Sequence, residues 1–291
     1  MGAQMRWDDV QVFVEVARQG SLSGAGRVLK VDHSTVYRRL NQLEEHLGVP
    51  LFHRDGGRYR LTDAGIAACA DAEAASNALA SFRRTVMGYD DRSEGIVKLT
   101  APESLLGLLA PLAASFRAAH PSIELQMAFT DRFLDLSRQE ADVAVRPTLS
   151  PPENLVGRKV AAIAWTTYAP VSGAEPTELP WAVYGDELVT LAAARWCAAQ
   201  HHAEPVLLTV NSVPSMARVI CEAGCRGLLP CFVGDADPQL LRLRPPIEGA
   251  ASALWLLVHP DMQRTFRVRA LLDHLWTGLQ THTALLVGKP V

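Results

Sequence analysis

Between residues 6 and 61 the apolar positions recur at helical intervals. Val10, Phe13, Val14 and Ala17 make one stripe, Gln19-Gly20 ends it, and Ser21 can cap a second helix through Ala25, Val28 and Leu29. After a break at Val31-Asp32, Val36, Leu40, Leu43 and Leu47 recur at i, i+4, i+7 and i+11, so a third helix buries that face. Its other face offers Ser34, Thr35, Tyr37, Arg38, Arg39 and Asn41 to solvent. Two helices joined by a tight turn, the second with hydroxyls and guanidiniums exposed, form a helix-turn-helix pattern. The run from Val49 to Thr62 then reads as two short strands around Asp55-Gly56-Gly57, with Arg54, Arg58 and Arg60 on or beside the hairpin. Such a basic wing is placed to touch phosphates or a minor groove, although a solvated turn with ordinary arginines has the same local pattern.

Residues 62–91 are alanine-rich, polar and free of proline, which suits one long helix. Thr62 can cap it, and a helix reaching Asp90 would have about 28 residues and a length of roughly 42 Å. Ile66, Ala70, Ala74 and Ala78, then Leu79, Phe82 and Val86, give it an apolar seam. The seam suits either close approach of a second copy or packing within its own chain. A pair of such helices would hold recognition helices at about the 34 Å that separates successive major grooves. From Ile96 onward apolar strand-like runs alternate with helical stretches, the signature of an α/β domain. Ala253–Val258 reads as a late strand, Gln263–Leu279 as a helix, and the last dozen residues as a tail.

The net charge of -3 over 291 residues does not advertise nucleic-acid binding. Yet the stretch from Arg27 to Arg60 holds seven basic residues against four acidic ones, so the charge that matters is local. Acids in MGAQMRWDDV stand where a signal peptide needs an apolar core, and no apolar run approaches the roughly 18 residues of a membrane span. A cytoplasmic location is the expectation. Cys69, Cys197, Cys221, Cys225 and Cys231 are irregularly spaced and fit no zinc pattern. Buried reduced thiols are one reading of them, and a redox switch within Cys221, Cys225 and Cys231 is the other. No metal and no cofactor is expected.

These residues together resemble the LysR-type transcriptional regulators. The resemblance rests on Phe13-Val14-Glu15-Val16-Ala17 followed by Gly20-Ser21-Leu22, on Ser34-Thr35-Val36-Tyr37-Arg38-Arg39-Leu40, on Leu43-Glu44 through Leu47-Gly48, on Leu51-Phe52-x-Arg54 and on Leu61-Thr62-x-Ala64-Gly65. Looser matches follow at Pro121 with Ile123–Phe129, at Ala141–Arg146 and at Ala223-Gly224-x-x-Gly227-Leu228-Leu229-Pro230. The resemblance implies an α/β protein with an N-terminal winged helix-turn-helix (1–61), a linker and dimerisation helix (62–92) and an effector-sensing domain (93–291). That domain is expected to have two lobes like periplasmic binding proteins, lobe I at about 93–164 and 260–280 and lobe II at about 165–259. The implied partners are double-stranded promoter DNA, a small-molecule effector, further copies forming a homodimer or homotetramer, and RNA polymerase.

The chain departs from the family at Gly24 and Gly26, where alanines are common, so close backbone packing is expected there. His33 and Tyr37 replace the usual glutamine and serine, so the operator sequence does not transfer. Asp32 would repel phosphate unless it caps the third helix. Ser34, Thr35 and Arg38 fall at the border of backbone and base contact, near free amides that favour phosphate. His33, Tyr37 and Arg39 are candidates for base reading, and Arg54, Arg58 and Arg60 for backbone or minor-groove contact. Ile66, Ala70, Ala74, Leu79, Phe82 and Val86 are the dimerisation candidates.

Ligands of open α/β folds sit beyond strand ends, near helix N-termini. With the family topology the ends carrying Pro102, Glu103 and Ser104, then Thr130, then Arg146, then Asn211, Ser212 and Ser215, converge into a cleft. Hydroxyls and a guanidinium would suit a carboxylate or another anion; a salt bridge for Arg146 and plain capping for the serines are the alternatives. Trp165, Trp181 and Trp196 either line this cleft or fill the core.

Catalysis has little support. No G-x-S-x-G, H-E-x-x-H or G-x-x-x-x-G-K-[ST] motif is present, and Asp186-Glu187 and His201-His202 are isolated pairs. A secreted solute-binding protein would not need residues 6–61. A ligand-independent architectural DNA-binding protein leaves the long α/β region unexplained.

Overall fold

The computed structural model describes residues 5–88 without Gly56 and residues 93–289 without 133, 139, 173–174, 176–177, 186–187, 189–191 and 201–204. The chain divides into two compact units, Met1–Arg83 and Arg84–Val291.

In the first unit, helices α1 (Trp7–Gln19), α2 (Leu22–Leu29) and α3 (His33–Leu47) are followed by the hairpin β1 (Phe52–Asp55) and β2 (Arg58–Leu61), then by α4 (Asp63–Gly88). Val12, Phe13, Val16, Ala25, Val36, Leu40, Leu43, Leu51 and Phe52 form one buried core, so the expected helical stripes face inward except at Val28 and Leu47, which are exposed. Ser21 Oγ accepts from Gly24 N at 3.1 Å and Asp32 Oδ1 from Ser34 N at 2.8 Å, so both expected caps are made. Lys30 closes α2 in the left-handed region at φ 55, its N–H bonded to Gly26 O. That carbonyl also accepts from Val31 N at 3.0 Å, and a Cβ on Gly26 would stand 2.8 Å from Val31 O. Gly24 is closed in by the Gln19 and Ser21 side chains. The two glycines therefore sit where backbone and side chains come too close for alanine.

Thr62 caps α4 through a 3.0 Å bond from Gly65 N, while its hydroxyl donates to Pro50 O at 2.8 Å. The Asp90 end expected for this helix lies outside the described residues. Gly65 packs hard against the segment that leads into the wing: a Cβ there would lie 2.2 Å from Leu51 O and 3.0 Å from Leu61 Cδ2. Backbone on one side and core on the other leave no room to relax. Gly65→Ala is expected to destabilise this unit by about 1–3 kcal/mol, read as a lower midpoint in urea denaturation followed by far-UV circular dichroism.

The described residues of the second unit form two larger sheets and a separate two-stranded pair. The first runs β4 (Ile123–Phe129), β3 (Gly95–Ala101), β5 (Val143–Thr148), β12 (Ser252–Val258), β6 (Val156–Ile163), with β3 parallel to β4 and β5, and β12 antiparallel to both its neighbours. Helices α5 (Leu106–Ala119) and α9 (Phe266–Gln280) pack on each other and on this sheet. The second sheet is β10 (Gly227–Pro230), β7 (Trp165–Pro170), β11 (Leu240–Arg242). The pair β8 (Trp181–Tyr184) and β9 (Val206–Val210) adjoins it through a bridge from Trp181 to Arg226. Around it lie α6 (Ala192–Gln200), α7 (Val213–Ala223) and α8 (Cys231–Gly234). Along β12, Leu254, Leu256 and Val258 enter the main core while Leu257 joins a small cluster with Leu136, Ala141, Ala144 and Leu155. That is the two-residue alternation of a strand covered on both faces.

Two expectations are corrected. β12 is hydrogen-bonded between β5 and β6, so lobe I regains the chain at Ser252 and not at 260. The C-terminus is no tail. α10 (Thr283–Leu286) buries Leu286, whose carbonyl accepts from Ala164 N at 2.9 Å, and Gly288 O accepts from Arg242 Nη1 at 2.9 Å. Ala164 is the residue between β6 and β7, so the chain end docks where the two sheets join. A four-residue helix is too short to show a period, so nothing in the sequence marks this segment as packed.

Candidate nucleic-acid interface and ligand cleft

On α3 the buried positions Val36, Leu40 and Leu43 fix which residues point away. His33, Ser34, Tyr37 and Arg38 are exposed; Thr35 and Arg39 are half-buried. Arg39 leans back to α1, with Nη1 3.3 Å from Asp8 Oδ2, which draws it away from the outer face where base reading was expected of it. Arg38 has no ion pair among the described residues and lies on that outer face. The helix N-terminus is less open to phosphate than expected, because Asp32 takes the Ser34 amide with its carboxylate and the Thr35 amide with its carbonyl. The Ser34 hydroxyl and amide hold the Asp32 carboxyl below the usual carboxylate range, and His33 Nδ1 lies 3.4 Å from it.

The wing is braced from two directions. Tyr59 N donates to Gly20 O at 3.0 Å, and Glu44 Oε1 accepts from Leu51 N at 2.7 Å and Phe52 N at 3.2 Å. Strand register pairs His53 with Arg60 and Asp55 with Arg58, so the side chains of Phe52, Arg54, Tyr59 and Leu61 share one face of the hairpin. His53, Arg58 and Arg60 share the other, which is solvent-exposed. Arg54 is engaged differently from Arg58 and Arg60. Its Nη2 donates to Asn41 Oδ1 and to Glu44 Oε2, each at 2.6 Å. The roles of Glu44 and Asn41 have no signal in periodicity, which places them merely on the polar side of α3.

α4 has two unlike faces. Ala68, Cys69 and Ala72 pack against the first unit's core, and Arg18 bonds Glu73 at 2.9 Å. The seam residues Ile66, Ala70, Ala74, Leu79, Phe82 and Val86 are all exposed, Ile66 and Phe82 at 61% and 65%.

In the second unit, Thr130 N donates to Ala101 O at 2.8 Å, which joins the ends of β3 and β4. Pro102 is buried there, Ser104 and Thr130 are half-buried and Glu103 is exposed. α7 packs on the Glu103–Leu105 turn, so the strand ends of the two lobes meet. Ser212 caps α7, accepting from Ser215 N at 3.2 Å and bonding its hydroxyl at 2.8 Å, with Asn211 exposed beside it. Arg146 departs from both of its expected roles. At 3% exposure its guanidinium donates to Thr130 O (2.7 Å), Arg132 O (2.7 Å) and Thr100 Oγ1 (2.9 Å). It is a buried cation committed to carbonyl and hydroxyl acceptors of its own chain. Burial lowers its pKa to about 10, against the pull of Asp131. Loss of solvent and the charge of Glu103 raise the Asp131 carboxyl, while Arg146 opposes them. Burial chiefly raises Tyr184 of β8, and the charges of Cys197 and Asp131 add to it. Trp165 and Trp181 are core residues, and Trp196 packs against the same core.

Cys225 and Cys231 are buried, Cys221 half-buried, and burial pushes all three thiols up, against thiolate chemistry. Asp186-Glu187 and His201-His202 lie outside the described residues. Among the described residues no group of three or more His, Cys, Asp or Glu could hold a metal, and no helix is long and apolar enough to cross a membrane.

Two family models account for nearly all of this arrangement. Residues 7–66 match the bacterial regulatory helix-turn-helix protein of the lysR family, and residues 90–280 match the LysR substrate binding domain. The chain belongs to the LysR family. Among curated relatives of this LysR-type regulator, an HTH-type transcriptional regulator of Xanthomonas campestris pv. campestris is 34% identical over 182 residues, 62% of this chain but only about half (52%) of that relative. The Mau operon transcriptional activator of Paracoccus denitrificans is 28% identical over 273 residues, covering 89% of this chain and 91% of that one. The full-length structure of the Vibrio cholerae virulence activator AphB, described as a member of the LTTR protein family, superposes with a TM-score of 0.56 at 19% identity, over 93% and 98% of the two chains. That likeness shows the fold of a LysR-type regulator and nothing finer.

Proposed function

We propose that this LysR-type regulator grips promoter DNA with α3 and the wing, as two or four copies joined along the α4 seam, and that a small molecule in the interlobe cleft modulates the grip. The observation that carries the reading is the division of labour in the first unit. Val36, Leu40 and Leu43 of the α3 stripe are sealed inside, while Ser34, Tyr37 and Arg38 are exposed beside a wing whose outer face carries Arg58 and Arg60. Arg38, Arg58 and Arg60 are the phosphate contacts, and Tyr37 with His33 reaches base edges. The named relatives are transcriptional regulators, which supports a regulator in place of an enzyme.

The effector reading changes with the geometry. Arg146 is already occupied, and the charge of Asp131 acts on it, with Glu103 acting on Asp131 in turn. An anion anchored on Arg146 is therefore disfavoured, and the hydroxyls of Ser104, Thr130, Ser212 and Ser215 with Asn211 are the recognition groups.

Selection of the purified full chain on fragmented genomic DNA at two salt concentrations tests the reading. Enrichment of a few sites built of spaced half-sites supports it; weak, even retention that vanishes with salt rejects it in favour of an architectural role. On an enriched site, Arg38→Ala is expected to weaken binding to all sequences alike and to reduce the slope of log K against log salt by about one. An unchanged slope in that titration means the outer face of α3 does not meet phosphate.

A further inference from the structure

Arg54 does not have the surroundings of a phosphate-seeking arginine. Its guanidinium lies 5.4 Å from the centre of the Tyr37 ring and 6.0 Å from that of Tyr59, so it is held between an aromatic ring of α3 and one of β2. The same group donates to Asn41 Oδ1 and Glu44 Oε2, one and two turns beyond Tyr37 on α3. Glu44, whose other oxygen takes the Leu51 and Phe52 amides, is a mostly buried carboxylate with 11% of its side chain exposed. One planar cation thus closes a circuit of Tyr37, Asn41, Glu44 and Tyr59 that ties the recognition helix to the wing. Tyr37 keeps 44% of its surface exposed, with the ring steadied on the Arg54 side.

We infer that Arg54 is a positioning residue for sequence readout: it fixes the Tyr37 ring and the setting of the wing against α3, and its charge is not spent on DNA phosphate. The inference rests on the DNA-reading function proposed above and adds which residue sets its selectivity. The physical basis is geometric. A guanidinium can stack and donate in its own plane at once, whereas an ammonium is a compact point charge that cannot hold Asn41, Glu44 and two ring faces together. With the circuit open, the tyrosine becomes free to rotate on the exposed face. Base contacts that need a fixed side chain lose strength, while contacts to the uniform backbone persist.

The test compares the full-length wild type with Arg54→Lys and Arg54→Met on the enriched operator and on mixed-sequence DNA of equal length, across a salt series. Folding of each variant is checked by circular dichroism and melting temperature. Both variants are expected to lower the operator-to-mixed preference by about tenfold, with the salt slope kept within about half a unit of wild type. A phosphate contact predicts the reverse: lysine largely preserving affinity and preference, and methionine weakening both DNAs alike with a slope lower by about one. That outcome overturns the inference. A second arm guards against mere destabilisation. Tyr37→Leu should lose preference in wild type but lose almost nothing further in the Arg54→Met background, since the two act through one element. Additive losses overturn the inference as well. A wild type with no preferred sequence is a different result: it rejects the sequence-reading function itself, and with it any selectivity for Arg54 to set.

Discussion

Ile66→Glu combined with Phe82→Glu is expected to turn the regulator into a monomer that still folds. Both side chains are well exposed on α4 and neither belongs to the first unit's core, so glutamate there costs the fold little. Each contributes apolar area to the seam, where burial against a second copy gains about 25 cal/mol per Å². A carboxylate placed opposite its own symmetry mate faces both repulsion and desolvation, because a twofold interface brings equivalent positions together. The consequence for DNA is larger than the loss of contact area. A dimer binds its second half-site as an intramolecular event, which multiplies affinity by about 10² to 10⁴. Sedimentation velocity should show a single monomeric species, and affinity for a two-half-site operator should fall by at least about a hundredfold while the melting temperature of the first unit stays near wild type. A variant that remains oligomeric places the assembly surface elsewhere.

The same helix shows why some of this molecule is readable from sequence and some is not. Period and burial go together, so most of the stripes of α1 and α3 can be located without coordinates, as can the capping roles of Ser21, Asp32 and Thr62. Gly26 is similar: a helix-interior glycine costs about 1 kcal/mol, which predicts the crowding by Val31 O that is observed. What cannot be read is the choice of partner among exposed polar groups. Arg39, Arg54, Arg58 and Arg60 look alike as letters. Yet Arg39 pairs with Asp8 of α1, Arg54 with Asn41 and Glu44 of α3, and Arg58 and Arg60 face solvent. Hairpin register decides the last three, since alternate positions of β2 and β1 face opposite ways. Arg146 is the same problem in the interior. A cation at a strand end suggests a ligand, but the neighbouring chain turns its own carbonyls onto it.

Removing that cation is expected to be among the costliest single changes in the second unit. Arg146→Met takes away the hydrogen bonds to the part-buried Thr130 and Arg132 carbonyls and to the buried Thr100 hydroxyl, which are left to find new partners. It also strips Asp131 of its attractive neighbour while Glu103 stays. Leaving such acceptors unpaired costs about 1–3 kcal/mol for a buried one, about 2–4 kcal/mol in all, and at about 2–4 °C per kcal/mol for a domain of this size the melting temperature should drop by roughly 10 °C. The pH dependence carries a sign that separates this account from simple loss of packing. The folded-state pKa of Asp131 is already above the ordinary carboxylate value, and without Arg146 it rises further. An acid whose pKa is raised by folding binds its proton more tightly when folded. Its contribution is favourable below the unfolded pKa and is lost as pH rises through the folded one. The deficit of Arg146→Met relative to wild type should therefore be smallest near pH 4 and grow towards neutrality, and the additional change Asp131→Asn should recover part of it at pH 7. Urea denaturation of the wild type and both variants at pH 4.5 and 7 reads this directly. A deficit that is equal at both pH values, and not relieved by Asp131→Asn, would mean that Arg146 serves the loop through its carbonyl contacts alone.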